Sequence, residues 1–512
     1  MNEERKKGII LSYTLIILNI LVAIIYTPFM TRMLGQSEYG LYSLVSSIIG
    51  YLTILDFGFG NAIIVYTTKY KERNDTEGLK KLHGMFALIY WIISLIAIII
   101  GLILFFNADL LFKNSMNDIE LHKAKIMLLI LTFNLGITFP FTIYSSIITA
   151  NEKFTFQKGV AIVRTVLNPI IMIPLLLLGY KAIAMIIVVT ILNIVTLLSN
   201  YFYCRKKLNI KIKFYGIDKK ILKEICGYSI FIFINIVIDK VNWSIDQFIL
   251  GSVSGTIAVS IYAIASQFNT LYLNFSTAIS GVLLPKFTKM IENNINNNEL
   301  SKEFIKTSRI QYYILYVIIT GFIIFGKDVI VLLFGLPYKK SYYVALILMI
   351  PATVPLIQNV GISILQAKKL HKFRSIILFI IAICNIVISI PLAKIYGCIG
   401  AAIGTGISII LGNIIIINLY YNYRVKLNMK KFWLEILIMT LKMLLPTLLI
   451  IILIKFISLG KILKILLYIP LYLLIYSVYC YKYVMNNYEK NIVGWLLIKL
   501  HIKKVKNERS NK

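Results

Sequence analysis

Apolar runs of membrane-spanning length, separated by short polar or basic connections, set the pattern of this 512-residue chain. A helix needs about 20 predominantly apolar residues to cross the hydrocarbon of a bilayer. By that measure the sequence predicts about fourteen spans. They lie near 9–31, 40–68, 84–106, 126–149, 159–179, 181–203, 224–250, 257–284, 310–334, 342–365, 375–393, 397–421, 432–457 and 462–485. The run after "MNEERKKG" is longer than a secretory h-region and lacks an A-x-A-like site, so it reads as an uncleaved first span.

Charge sharpens this picture. With the N-terminus placed in the cytoplasm, 39 of the 54 Lys and Arg residues fall in inner connections and 12 in outer ones. The other three, Arg164, Lys240 and Lys442, lie inside spans. That bias is what the positive-inside rule expects, and it places both termini in the cytoplasm. It also explains the net charge of +32 without nucleic acid, which would need a basic face on a soluble domain. With 59% hydrophobic and 15% charged residues, lipid is the expected solvent. The five cysteines lack metal-ligand spacing and read as small apolar fillers. There is no Walker-type loop, no H-E-x-x-H and no kinase lysine strand. No catalytic residue, metal-ligand set or enzyme activity is expected.

The chain also repeats itself. "MLGQSEYGLYSLVSSI" (33–48) is similar to "LGSVSGTIAVSIYAIASQF" (250–268), "IITANEKF" (147–154) to "ILQAKKLHKF" (364–373), and "IPLLLLGYKAIA" (173–184) to "IPLAKIYGCIGAA" (390–402). The three offsets agree at 216, 217 and 217 residues. An offset of six helices keeps both halves in one orientation, which predicts two parallel repeats with a transport path between them. The expected organisation is an N-terminal six-helix lobe at 1–203, a cytoplasmic linker at 204–223 and a second lobe at 224–421. Two additional helices at 422–485 and a basic cytoplasmic tail at 486–512 complete it.

The block "TRMLGQSEYGLYSLVSSIIGYLTILDFGFGNAIIVYTTKY" (31–70) carries Leu34-Gly35, Glu38-Tyr39-Gly40, Asp56 and Gly58. Through these it resembles the first helical hairpin of bacterial polysaccharide flippases, the Wzx-like transporters. These belong with the MATE exporters and the lipid II flippase MurJ in the MOP superfamily. "IDQFILGSVSGTIAVSIYAIASQ" (245–267), with Asp246, Gly251 and Tyr262, resembles the corresponding hairpin of the second half. Family members often carry an Arg further along the helix from the first Asp; here Val65 stands in that place and Lys69 is the nearest base.

The resemblance implies an all-α integral membrane protein, a MATE-like V-shaped bundle of two six-helix lobes plus two extra C-terminal helices. It implies alternating access in the bacterial cytoplasmic membrane. The implied cargo is an undecaprenyl-pyrophosphate-linked oligosaccharide, of surface-polysaccharide, capsule or O-antigen type, turned from the cytoplasmic to the outer leaflet. Membrane lipids and polysaccharide assembly proteins are the implied partners, and no cofactor is expected beyond a coupling ion, Na+ or H+. The alternatives are a MATE-type cation-coupled exporter of drugs or small molecules, a membrane polysaccharide polymerase, and a membrane scaffold without transport activity.

An ionisable group at membrane depth costs at least ~2.5–3.5 kcal/mol, so each one wants a cavity or a partner. Asp56 lies near the middle of its expected span and has two readings: a carboxylate satisfied by neighbouring helices, or a cavity-facing group in ion coupling. On the seventh span Asn235, Asp239, Asn242, Trp243 and Asp246 share one helical face, with Lys240 and Gln247 on an adjacent stripe. That face suggests a wet cavity, its carboxylates binding Na+ or carrying H+, and Lys240 drawing a phosphate or shielding them. The other reading is packing against a helix. Arg164 either snorkels or binds pyrophosphate with its planar fork, and Lys442 is expected to snorkel. The segment 489–512 is either an interfacial helix on the anionic inner leaflet or a simple basic tail.

Overall fold

The computed structural model describes residues 3–210, 212, 218–280, 284–293, 295–368, 370–457 and 460–494, and every regular element among them is helical. Helices are what a lipid-embedded chain must form, because their backbone groups pair within the segment. In chain order the first long helices are α1 (Glu3–Leu21), α2 (Thr27–Leu52), α3 (Phe59–Glu72), α4 (Thr76–Phe106) and α5 (Asp118–Ala150). Then come α6 (Phe154–Leu177), α7 (Ala182–Lys206), α8 (Lys219–Val253), α9 (Gly255–Ser280), α10 (Asn297–Phe334) and α11 (Lys340–Ile357). After these follow α12 (Asn359–Ala367), α13 (His371–Ile409), α14 (Ile417–Tyr423), α15 (Met429–Phe456) and α16 (Lys461–Tyr479).

Among the described residues, ten stretches are long and apolar enough to cross a membrane. Two of them, Ile10–Glu72 with 63 residues and Phe373–Tyr423 with 51, are long enough for more than one crossing at about 20 residues each. Both contain a glycine with left-handed backbone inside what is otherwise continuous helix: Gly35 in α2 (φ 76°) and Gly397 in α13 (φ 59°). A side chain is disfavoured in that region, so glycine lets one crossing pass into the next with almost no loop.

Packing divides the chain into two compact units, Met1–Ala265 with Leu378–Ser408, and Ser266–Ile377 with Ile409–Lys512. The divisions fall within α9 and α13, which is a different partition from the one drawn from the repeat. In the first unit α5 packs against both α4 and α7, and α1 lies along α6. At Gly40 a Cβ would stand 1.9 Å from the Thr256 carbonyl oxygen, so only glycine allows α2 and the start of α9 to meet. Beside it Glu38 pairs with Lys123 and accepts a hydrogen bond from the Ala182 backbone N–H (3.3 Å), while Glu120 accepts from Ser37 and from Thr256 (2.8 Å). The Glu38-Tyr39-Gly40 sequence thus fastens α2 to three neighbouring helices.

In the second unit the C-terminal helices are tied to α10 by charge. Arg309 is buried and meets Glu489 bidentately, Nε to Oε1 at 2.6 Å and Nη2 to Oε2 at 3.0 Å. It also donates to Glu435 (2.6 Å), and Tyr313 donates to Glu489 (3.0 Å). Residues 487–494 are helical and docked through this contact, so the first residues of the segment 489–512, read as an interfacial helix or a simple basic tail, pack on protein, and 495–512 lie outside the described residues. None of the five cysteines is in a disulfide; Cys204, Cys398 and Cys480 are buried as apolar fillers would be, while Cys226 and Cys384 are exposed.

Candidate functional site

The first hairpin is broken where the sequence suggested a continuous span. After α2 the chain makes a 3-10 turn, Thr53–Asp56, and then places Phe57 (φ 51°) and Gly58 (φ 75°) in the left-handed region before α3 begins. Such a break frees backbone N–H groups at membrane depth, and they need acceptors. Asp56 supplies one: its Oδ2 takes the Gly60 N–H (3.4 Å), and its Oδ1 takes the Tyr90 hydroxyl of α4 (2.7 Å). Asp56 therefore sits at a helix start, bound to α3 and α4, with no base beside it among the described residues. Val65, where an Arg was looked for, is 45% exposed, and Lys69 pairs with Glu224 (3.4 Å).

Asp246 has a different setting. It is 1% exposed, and its Oδ2 accepts from Tyr262 of α9 and from Thr405 of α13 (2.7 Å). Asn385 and Ser389, one turn apart on α13, stand behind Thr405. The Asn385 Oδ1 accepts from Ser389 (2.8 Å) and Thr405 (3.3 Å), and all three side chains are buried. Gly400 and Gly404 make room for this: a Cβ at Gly404 would lie 2.2 Å from the Ser389 hydroxyl, and one at Gly400 1.9 Å from the Leu392 carbonyl oxygen. The two parts of α13, either side of Gly397, can thus press together and hold their polar side chains toward α8.

No Lys, Arg or His pairs with Asp246 among the described residues. Its Oδ1 is buried without a hydrogen-bond partner, as are the Asn385 Nδ2 and the Tyr51 hydroxyl. A buried, unpaired carboxylate is costly and calls for a cation or a proton. What surrounds this one is a set of neutral oxygens from Tyr262, Thr405, Ser389 and Asn385, which is the donor chemistry of a hard cation. Among the described residues no cluster of three or more His, Cys, Asp or Glu forms a metal site of the usual kind.

The helical face drawn for the seventh span falls on α8, but the side chains of Asn235, Asp239, Asn242 and Trp243 lie outside the described residues. Lys240 and Gln247 are half-buried, and the Lys240 ammonium lies close to Gly50 of α2, 3.7 Å from where a Cβ would be. Arg164 stands about 15 Å along α6 from its start at Phe154. It lines a cavity of ≈ 330 Å³ between α6 and α7, together with Val160, Val163, Leu167, Leu192 and Val195. Its hydrogen-bond partner is neutral: Nη1 donates to Asn193 Oδ1 (3.3 Å), and Asn193 in turn donates to Asn134 and Thr138 (2.8 Å each). The guanidinium has no carboxylate against it among the described residues. Lys442 is exposed on α15.

Sequence reasoning singled out Asp246 and Tyr262 but not the partners that α13 supplies. Asn385, Ser389 and Thr405 are uncharged and drew no notice, yet Asn385 and Ser389 at i, i+4 in an apolar helix formed a visible polar stripe.

Residues 29–343 match the family described as polysaccharide biosynthesis protein. A Shigella flexneri protein named as an O-antigen transporter is 22% identical over 408 residues, covering 78% of this chain and 94% of that protein. Among solved structures, the lipid II flippase MurJ in an inward closed conformation superposes with a TM-score of 0.69 at 20% identity, covering 92% of this chain and 97% of that one. A multidrug resistance MATE family transporter of the MOP superfamily, inward-facing, gives 0.57 at 16% identity, covering 75% and 95%. The fold is therefore that of the MurJ and MATE transporters.

Proposed function

The chain belongs to the polysaccharide biosynthesis protein family, and from that premise we propose that it flips a lipid-linked oligosaccharide across the bacterial cytoplasmic membrane. The cargo is an undecaprenyl-pyrophosphate-linked precursor of a surface polysaccharide, moved from the cytoplasmic to the outer leaflet by alternating access. Both termini are cytoplasmic, and proteins of polysaccharide assembly are the partners that supply and take the cargo. The observation that carries this reading is the family match over residues 29–343 in a chain built of membrane-length helices. The names of a relative, O-antigen transporter, and of a structural neighbour, lipid II flippase, support the same class of cargo.

Asp246 is where we place the coupling ion, Na+ or H+, because it is a buried carboxylate with an unpartnered oxygen and no base. Asp56 is engaged by Tyr90 and Gly60, so its part is to hold the helix break, and Asp239 is a second carboxylate on the coupling helix. Arg164 meets the pyrophosphate, being a cation at membrane depth without an acidic partner, and the α8 residues Asn235, Lys240, Asn242, Trp243 and Gln247 meet the glycan. The test is deletion of the gene. Lipid-linked oligosaccharide should accumulate on the cytoplasmic leaflet; an unchanged surface glycan with altered resistance to cationic dyes would favour the MATE-type exporter instead.

A further inference from the structure

One cation at membrane depth is satisfied neither by the fold nor by the transport reading. Lys442 lies at the middle of α15, a helix of 28 residues, about 20 Å from either end. Its side chain is exposed, and it makes no hydrogen bond or ion pair among the described residues. Lys430, Lys431 and Lys455 mark the two ends of the helix, which leaves Lys442 near the centre of a hydrocarbon layer about 30 Å thick. A four-carbon stem cannot carry the ammonium from there to either interface, so snorkelling does not satisfy it.

The hydroxyls of α15 turn inward and are paired: Thr440 with Tyr312 (2.6 Å) and Thr447 with Tyr472 (3.3 Å). The carboxylate two turns away on the same helix, Glu435, is held by Arg309 (2.6 Å). Lys442 instead stands at the edge of the outward face. That face is a row of exposed residues, Leu434, Ile438, Leu441, Leu445, Leu448 and Ile452. Their spacing alternates four and three, which is the seam along which one helix packs on another at a shallow angle.

Charge decides what can cover this seam. Lipid phosphates stay at the interfaces, and acyl chains offer an ammonium nothing. A second copy docked through the same face would set Lys442 against Lys442 at one depth, because the symmetry axis of such a pair runs along the membrane normal. A helix from another protein can present an acidic side chain at the matching depth, and a carboxylate in hydrocarbon needs a cation as much as Lys442 needs an anion.

We propose that the outward face of α15 is a docking surface for a transmembrane helix of another membrane protein, one carrying an Asp or Glu near the middle of its span, and that Lys442 pairs with that carboxylate. The apolar row supplies the contact area and the ion pair fixes the depth and the choice of partner. This goes beyond the flippase reading and does not depend on it, since Asp246 and Arg164 take no part.

The test uses the full-length protein, donor-labelled and reconstituted in phosphatidylcholine vesicles. It is titrated with acceptor-labelled Leu/Ala-rich transmembrane peptides that differ only at the central residue, Glu or Leu. By energy transfer the Glu peptide should associate about tenfold more tightly than the Leu peptide. The preference should be lost with Lys442→Leu and kept with Lys442→Arg. Lys442→Leu alone should melt at or above wild type, because an unpaired ammonium is gone from the lipid face. A lower midpoint would show that Lys442 is held inside the protein, and equal binding of the two peptides would show that the face does not select a carboxylate; either result overturns the proposal. In native membranes, a photoreactive residue at Leu445 should cross-link to a span that contains a central Asp or Glu, identified by mass spectrometry. Adducts only with lipid, with a second copy or with a span lacking an acid would overturn it too.

Discussion

Removing the Glu489 carboxylate should destabilise the protein far more than an ordinary ion-pair deletion. Exposed pairs contribute ~0–1 kcal/mol. Glu489 is different because its side chain is 3% exposed and that of Arg309 11%, so the guanidinium it leaves behind cannot be rehydrated. Breaking such a buried pair from one side costs about 3–5 kcal/mol. Here Glu435 remains at 2.6 Å, which puts Glu489→Gln toward the lower end, while Tyr313 and the Asn486 N–H (2.9 Å) each lose a charged acceptor. Followed by thermal unfolding of the purified protein, the midpoint should fall by about 3 °C. Glu435→Gln, whose side chain is 33% exposed, should cost markedly less, and Glu489→Asp should fall between. Glu489→Gln melting with wild type, or Glu435→Gln costing more, would show that burial does not set the value of this network.

Other consequences of the packing can be checked in the same way. Gly40→Ala gains up to ~1 kcal/mol of helix propensity but drives a methyl into the Thr256 carbonyl oxygen, so it should reduce folded yield, measured by size-exclusion of a fluorescent fusion. Tyr90→Phe should cost ~1–3 kcal/mol by leaving Asp56 Oδ1 unsatisfied, read as a lower melting midpoint than for Tyr13→Phe on an exposed surface. Asp246→Asn should express and fold yet lose ion-dependent transport; so should Asp239→Asn, and both behaving as wild type would leave the polar face of α8 purely structural.

The membrane architecture was legible because apolar run length and basic asymmetry act over dozens of residues and average out local noise. What escaped was local backbone geometry and long-range pairing. The hairpin 40–68 read as one span because "DFGFG" is apolar apart from its Asp; that Phe57 and Gly58 would both turn left-handed was not read from the glycines. Asp56 accordingly looked like a mid-span charge that either packs against neighbouring helices or faces a cavity, and it accepts hydrogen bonds from a new helix start and from Tyr90. Arg309 and Glu489 are 180 residues apart, and neither stands out among the basic and acidic residues at helix ends. The Asp246 pocket was half legible: the carboxylate was conspicuous, but its partners are neutral and come from either side of Gly397, so only folding brings them together.

The central claim is that this chain moves a lipid-linked oligosaccharide between leaflets, and reconstitution tests it most directly. Purified protein in vesicles, loaded with a polyprenyl-pyrophosphate-linked oligosaccharide, would be challenged with a membrane-impermeant glycosidase under an imposed Na+ or H+ gradient. The account predicts that the inner-leaflet pool becomes accessible in a gradient-dependent manner, and that Asp246→Asn vesicles show only the outer-leaflet pool. An inner pool that stays protected with wild-type protein, under every gradient, would contradict it.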